Sequence, residues 1–128
     1  MSNDETVNVR YMVDDVDESL AFYTKVLGFE ELSNTSPAFA DVKRGNLRLL
    51  LSGPTSSAGR PMTDGTKPGP GGWNRIHFMV DDLDSEVERL RATGATFRND
   101  PIAGPGGKQV LLLDPSGNVV ELFQPGGR

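Results

Sequence analysis

Two stretches of the chain alternate apolar and polar residues and then switch to a helical period. In the first, Val9, Tyr11 and Val13 fall on one side of a predicted strand and Asn8, Arg10 and Met12 on the other; in the second, Ile76, Phe78 and Val80 oppose Arg75, His77 and Met79. Downstream, Val16, Leu20, Tyr23 and Leu27, and then Leu83, Val87 and Leu90, are spaced to form the apolar stripe of an amphipathic helix. The apolar side of each strand is therefore expected to face a helix, leaving the other side for Asn8, Arg10, Met12, Arg75, His77 and Met79. Asp14, Asp15 and Asp17, like Asp81, Asp82 and Asp84, stand where carboxylates cap free N–H groups and complement the helix dipole, and Gly28 and Gly94 suit the helix ends. A Ca²⁺ loop is the competing reading of these acidic clusters, but the twelve-residue spacing with a central Gly and terminal Glu is missing.

The two stretches are copies of one pattern: Val9-Arg10-Tyr11-Met12-Val13-Asp14-Asp15-Val16-Asp17 recurs as Ile76-His77-Phe78-Met79-Val80-Asp81-Asp82-Leu83-Asp84. A match at one fixed offset, with every apolar position conserved in character, points to a duplicated supersecondary unit. Further strands are predicted around Phe29 to Leu32, Ala38 to Val42 and Leu47 to Leu51, and again around Thr96 to Arg98, Gln109 to Leu113 and Val119 to Phe123. Lys43-Arg44-Gly45-Asn46 and Asp114-Pro115-Ser116-Gly117-Asn118 read as hairpin turns. The prediction is an α+β domain of two βαβββ units, about 6–52 and 73–125. Between them, about 53–72, lies a segment rich in Gly, Pro, Ser and Thr, a linker or lid in which no stable helix or strand is expected.

At 128 residues the chain fits one domain or two half-domains. A formal net charge of -5, with the Lys and Arg residues scattered, disfavours nucleic acid as a partner. No apolar run approaches a membrane span, and the absence of cysteine and of a secretory-type N-terminus suggests the cytoplasm. Gly104-Pro105-Gly106-Gly107-Lys108 lacks Walker spacing and precedes a strand, so a hairpin connection is expected there rather than a phosphate loop. Thr55, Ser56 and Ser57 offer hydroxyls that nothing in the sequence sets against the single His.

A strand ending in Val-Asp-Asp, a helix carrying Phe22-Tyr23 and Leu27-Gly28-Phe29, and the run Asp114-Pro115-Ser116-Gly117-Asn118-Val119-Val120-Glu121-Leu122 together resemble the vicinal-oxygen-chelate superfamily, which includes glyoxalase I, bleomycin-resistance proteins and extradiol dioxygenases. The resemblance covers nearly the whole chain. It implies curled mixed sheets around a ligand cup, often in a homodimer, and in metal-dependent members a cation held from the first and last strands of each unit. Carried onto this chain, the metal positions are Asn8, Leu49, Arg75 and Glu121. Only Glu121 suits a divalent ion, because leucine cannot ligate, arginine is a permanent cation and asparagine is a weak neutral ligand. One His and no Cys cannot supply a two-His-one-carboxylate triad from a single chain. A metal-dependent lyase or dioxygenase is therefore disfavoured and no cofactor is expected, with a divalent metal shared between two chains as the open alternative.

In the implied sheet the first and last strands of a unit are neighbours, which sets Arg75 beside Glu121. The guanidinium is expected to fill the position a metal takes in relatives, either binding an anionic or polar ligand group or holding the shape of the cup. His77 shares the face of Arg75 and is the natural proton carrier beside Glu121, although a lone His is more often an ordinary pocket residue. Arg10 takes the place of His77 in the first unit. Asn8, Arg10, Met12, Leu49, Trp73, Arg75, Met79 and Phe123 are the candidate ligand contacts, with Leu47, Leu51 and Val119 extending an apolar wall. The leading expectation is a metal-independent protein that binds a small oxygenated or anionic molecule, for resistance or sequestration. The alternative is a lyase or isomerase in which His77 and Glu121 move protons and Arg75 steadies an oxyanion.

Overall fold

In a computed structural model describing residues 5–126, the alternation of the sequence resolves into strands whose two faces differ in burial. The chain forms two compact units, the first running to Gly71 and the second from Gly72. The first unit contains strands β1 (Val7–Met12), β2 (Glu30–Thr35), β3 (Phe39–Arg44) and β4 (Leu47–Ser52), ordered β1-β4-β3-β2 in one sheet. β1 and β4 are parallel and the other neighbours antiparallel.

Helix α1 (Val16–Ala21) follows β1 and passes into a π-helical turn over Phe22–Val26. There Leu27 N–H donates to the Phe22 carbonyl, and the Thr24 hydroxyl donates back to Leu20. The wider turn leaves the predicted stripe intact, since Val16, Leu20, Tyr23 and Leu27 are all buried. They cover the sheet face carrying Tyr11, Ala40, Val42, Leu49 and Leu51.

The second unit repeats the plan with β5 (Ile76–Met79), α2 (Leu83–Ala92), β6 (Thr96–Phe97), β7 (Ile102–Gly104), β8 (Gly107–Leu113) and β9 (Val119–Pro125). Its order is β5-β9-β8-β6, with β7 also pairing β8. The unpredicted β7 arises because the second strand of the unit is broken: Pro101 cannot donate to a ladder, and the Asn99 side chain accepts the Leu111 N–H instead. The Gly104–Gly107 pair then closes the glycine-rich segment as the expected hairpin. Asp15 and Asp82 cap the two helices by accepting from Glu18 and Ser85 N–H groups, and Gly28 and Gly94 take the left-handed conformation that ends them. In the β8–β9 turn, the buried Asp114 carboxylate accepts from the backbone N–H groups of Ser116 and Asn118 and from the Asn118 side chain. That is the physical content of the Asp-Pro-Ser-Gly-Asn run.

Two expectations need correction. The first concerns the linker, in which no helix or strand is expected and which begins after Ser52, the fully buried last residue of β4. The segment after it folds back on the first unit, where Gly53 N–H donates to the Ala38 carbonyl and Ser57–Gly59 forms a 3-10 turn capped by Ser56. More consequential is the register of β4. Leu49 pairs with Val9 and Leu51 with Tyr11, so Leu47, Leu49 and Leu51 lie on the helix side of the sheet rather than on its open face. The open-face residues of β4 are Arg48, Leu50 and Ser52, opposite Asn8, Arg10 and Met12. Leu50, not Leu49, is thus the counterpart of Glu121, since Arg10 faces Leu50 as His77 faces Glu121.

This register predicts unequal costs for neighbouring leucines. Leu49→Ala, at a position of 0% exposure, should lower the unfolding free energy by about 2–5 kcal/mol. Leu50→Ala, on the half-exposed face, should cost less than half as much. Urea denaturation of the two variants decides the matter, and equal losses would mean that the faces have been exchanged.

Candidate functional site

The second unit brings five of the predicted residues together. β5 and β9 run parallel with His77 opposite Glu121 and Met79 opposite Phe123, and β8 places Leu111 beside Glu121. Arg75, two residues before His77, reaches the same carboxylate: its Nε donates to Glu121 Oε1 at 2.9 Å. His77 Nε2 lies 3.6 Å from Glu121 Oε2, just outside hydrogen-bond range but close enough for an ion pair when the ring is protonated. Thus the direct cross-strand partner of Glu121 is His77, and Arg75 engages it along the diagonal. The imidazole also leans on Phe123, with ring centroids 5.2 Å apart.

Burial grades across this cluster. The Glu121 side chain is 11% exposed, that of Arg75 29% and that of His77 42%. A carboxylate so far removed from water needs a compensating donor, and the guanidinium supplies one. Met79 is largely exposed at the rim of the face.

Trp73 is held to the cluster by its backbone, since Arg75 Nη1 donates to the Trp73 carbonyl at 3.2 Å. Its ring is stacked by a residue that the sequence reading passed over, Arg98, whose guanidinium carbon lies 4.0 Å from the indole centroid. Arg98 N–H bonds the Leu111 carbonyl, so alternation from Thr96, which pairs with Leu113, turns the Arg98 side chain to the face of Leu111 and Glu121. The sequence carries the signal, because a strand over Thr96 to Arg98 puts Thr96 and Arg98 on the same face.

Asn8, Arg10 and Met12 belong to the first unit, where they share the open face of their own sheet. Arg10 Nη1 donates to the Ser52 hydroxyl at 2.8 Å. Met12 borders a cleft of about 130 Å³ together with Val13, Asp14, Pro54, Lys67 and Pro68. Leu49 lies on the opposite, helix-covered face and is fully buried. The charge on this sheet is instead the buried Asp41, bound by Arg48 at 2.7 Å and by the Ser33 hydroxyl. Burial pushes the Asp41 carboxyl up, but the Ser33 and Arg48 hydrogen bonds and the guanidinium charge outweigh it and hold it below its ordinary 3.8.

The positions that hold a metal in relatives do not fit one here. Among the described residues no three His, Cys, Asp or Glu side chains converge. Asn8 faces Arg48, Leu50 offers no ligand atom, and the Arg75 guanidinium sets a positive charge against one oxygen of Glu121.

The comparisons with known proteins agree with this fold. The model of the Glyoxalase/Bleomycin resistance protein/Dioxygenase superfamily matches residues 6–122, and the chain belongs to that superfamily. It is 30% identical, over 97% of its length, to the lactoylglutathione lyase GLX1 of Arabidopsis thaliana, of which it spans 45%. Among solved structures it resembles the lactoylglutathione lyase of Agrobacterium tumefaciens, with a TM-score of 0.74 and 27% identity over 92% of this chain and 91% of the other. It also resembles TnmS3, an antibiotic binding protein from Streptomyces sp. CB03234, with a TM-score of 0.72 and 25% identity over 98% and 99% of the two chains. No helix among the described residues is long and apolar enough to cross a membrane.

Two outcomes follow from the ion pairs. Because the folded-state value of Asp41 is depressed, its contribution to stability is fully present above 3.8 and is lost as pH falls below that through the folded value. The stability gap between the native protein and Asp41→Asn should therefore be constant near neutrality and close in acid, as read by denaturation at a series of pH values. For the second sheet, a cycle of Arg75→Met, Glu121→Gln and the double variant should give a coupling energy on the order of 1 kcal/mol or more. A coupling near zero would mean that the pair is not formed in solution.

Proposed function

We propose that this protein binds a small oxygenated or anionic molecule on the open face of its second sheet, without a metal ion. The observation that carries the reading is the Arg75–Glu121 contact of 2.9 Å. A fixed guanidinium takes the place of the electropositive centre, and after serving Glu121 and the Trp73 carbonyl it retains N–H donors for an incoming oxygen. Met79, Leu111 and Phe123 give that oxygen an apolar surround, the mixture usual in small-molecule sites. The similarity to an antibiotic binding protein along almost the whole of both chains supports sequestration as the task.

A second reading rests on a separate observation, the approach of His77 to the other oxygen of Glu121. A His–carboxylate pair beside a guanidinium can shuttle a proton and steady a developing oxyanion, and similarity to lactoylglutathione lyases supports a lyase or isomerase acting on a carbonyl compound.

Thermal denaturation with Ni²⁺, Zn²⁺, Mn²⁺ or Fe²⁺ should leave the midpoint unchanged, because a ligand stabilises only the state it binds. A rise that disappears in Glu121→Gln would replace the metal-free reading with a metal site. Against a panel of aromatic antibiotics and small carbonyl metabolites, monitored by native mass spectrometry, Arg75→Ala should weaken binding by about tenfold or more, the loss of a charge-assisted hydrogen bond. Unchanged affinity in a folded Arg75→Ala would end the ligand role of Arg75. Turnover that vanishes in His77→Ala while affinity persists would favour the enzyme over the sequestering protein.

A further inference from the structure

The second sheet carries a larger charge imbalance than the Arg75–Glu121 pair discloses. Cross-strand register sets His77, Glu121, Leu111 and Arg98 in one row, because His77 pairs with Glu121, Glu121 with Leu111, and Arg98 N–H with the Leu111 carbonyl. Along this row the one carboxylate, Glu121, is already bound by Arg75. Arg98 makes no ion pair among the described residues, and its guanidinium is instead spread over the Trp73 ring. Trp73 remains 61% exposed.

An exposed indole is costly to hold in one place unless something fixes it. Here the fixing comes from two cations at once: Arg75 grips the Trp73 carbonyl and Arg98 covers the ring. Both guanidinium groups thereby meet at one aromatic residue while the excess positive charge stays uncompensated. The opposite face of the sheet shows the contrast. There Arg91 of α2 approaches the Phe97 ring at 5.5 Å but has Asp100 as its counter-ion.

We propose that Trp73 and Arg98 extend the site on this face and select planar aromatic anions, an aryl carboxylate being the simplest. The ring of the ligand packs edge-on against the exposed edge of the Trp73 indole, beside the guanidinium that covers its face, so that its carboxylate accepts from the outward N–H groups of Arg98, with Arg75 supplying the further donor. The claim rests on the proposed binding role of this face and narrows it: neutral oxygenated molecules lack the charge that Arg98 is left to answer, and aliphatic acids lack the ring.

The chain has a single tryptophan, so one indole N–H resonance reports on Trp73 alone. Titration with 2-naphthoate should shift that resonance saturably. Calorimetry should show 2-naphthamide, its neutral counterpart, and cyclohexanecarboxylate, its non-aromatic one, each binding about tenfold more weakly. Arg98→Gln should erase the preference for naphthoate over naphthamide while leaving the remaining amide spectrum in place, and Trp73→Leu should erase the preference for naphthoate over cyclohexanecarboxylate. Equal affinities for acid and amide, an unmoved indole resonance at saturation, no binding of naphthoate at millimolar concentration, or an unaltered preference in folded Arg98→Gln would each overturn the proposal. Failure here is distinguishable from failure of the broader reading. A compound whose binding depends on Arg75 but leaves the Trp73 resonance unmoved refutes only the aromatic-anion class.

Discussion

The chemistry of the second sheet depends on where the Glu121 carboxylate has been put. β9 lies between β5 and β8, so a side chain at its centre is flanked on both sides and loses most of its water. A carboxylate in that setting is tolerated only with a donor at close range, because an unpaired buried charge costs several kcal/mol. Arg75 meets that need from the residue just ahead of the neighbouring strand β5. Once the pair is formed, the rest follows: one Glu121 oxygen is committed, the other is turned toward His77, and the Arg75 fork ties down the Trp73 carbonyl. The ion pair thus orders the face around it as well as neutralising a charge.

The two units solve the same problem in different strands. In the first sheet the buried acid is Asp41 on β3, answered by Arg48 on β4, and the place equivalent to Glu121 is taken by Leu50. In the second sheet the acid moves to the last strand and the base to the residue just ahead of the first. The helix-facing sides, by contrast, stay alike, with Tyr11, Leu49 and Leu51 in one unit and Ile76, Val120 and Leu122 in the other. Packing constrains one face of a sheet to be apolar, while the other face is free to exchange charges as long as each buried one keeps a partner.

That division explains what could be read from the chain. The period-2 alternation, the helical stripes, the capping aspartates and the Asp114–Asn118 turn are local devices, each encoded within a few residues, and they assign both units, most strands and the inward side of β5. Register between distant strands is not encoded locally. In β4 only Arg48 and Ser52 mark the open face, and Leu50 between them is as apolar as Leu47, Leu49 and Leu51, so the alternation is weak and a slip of one residue inverts the assignment. Leu49 was misplaced for that reason, while Glu121, flanked by Val120 and Leu122, could not be. β7 was missed because Pro101 and Gly104 leave too short an apolar run to register as a strand. Arg98 required three successive pairings to reach Glu121, and no periodicity within one segment supplies them.

The same constraint bears on whether this face binds or catalyses. A general base needs a free lone pair that reaches the substrate proton, and a metal ligand needs one that reaches the ion. Glu121 has one oxygen bonded to Arg75 and the other 3.6 Å from His77, so the imidazole, the more exposed of the two groups, is the nearer link between the carboxylate and solvent. Binding makes no such demand. It requires donors already aimed outward and an apolar surround already in place, and Arg75, Arg98, Trp73 and Phe123 meet that requirement in the geometry they hold. On the proposed binding reading the face needs no rearrangement, whereas the catalytic reading rests on one partly exposed histidine.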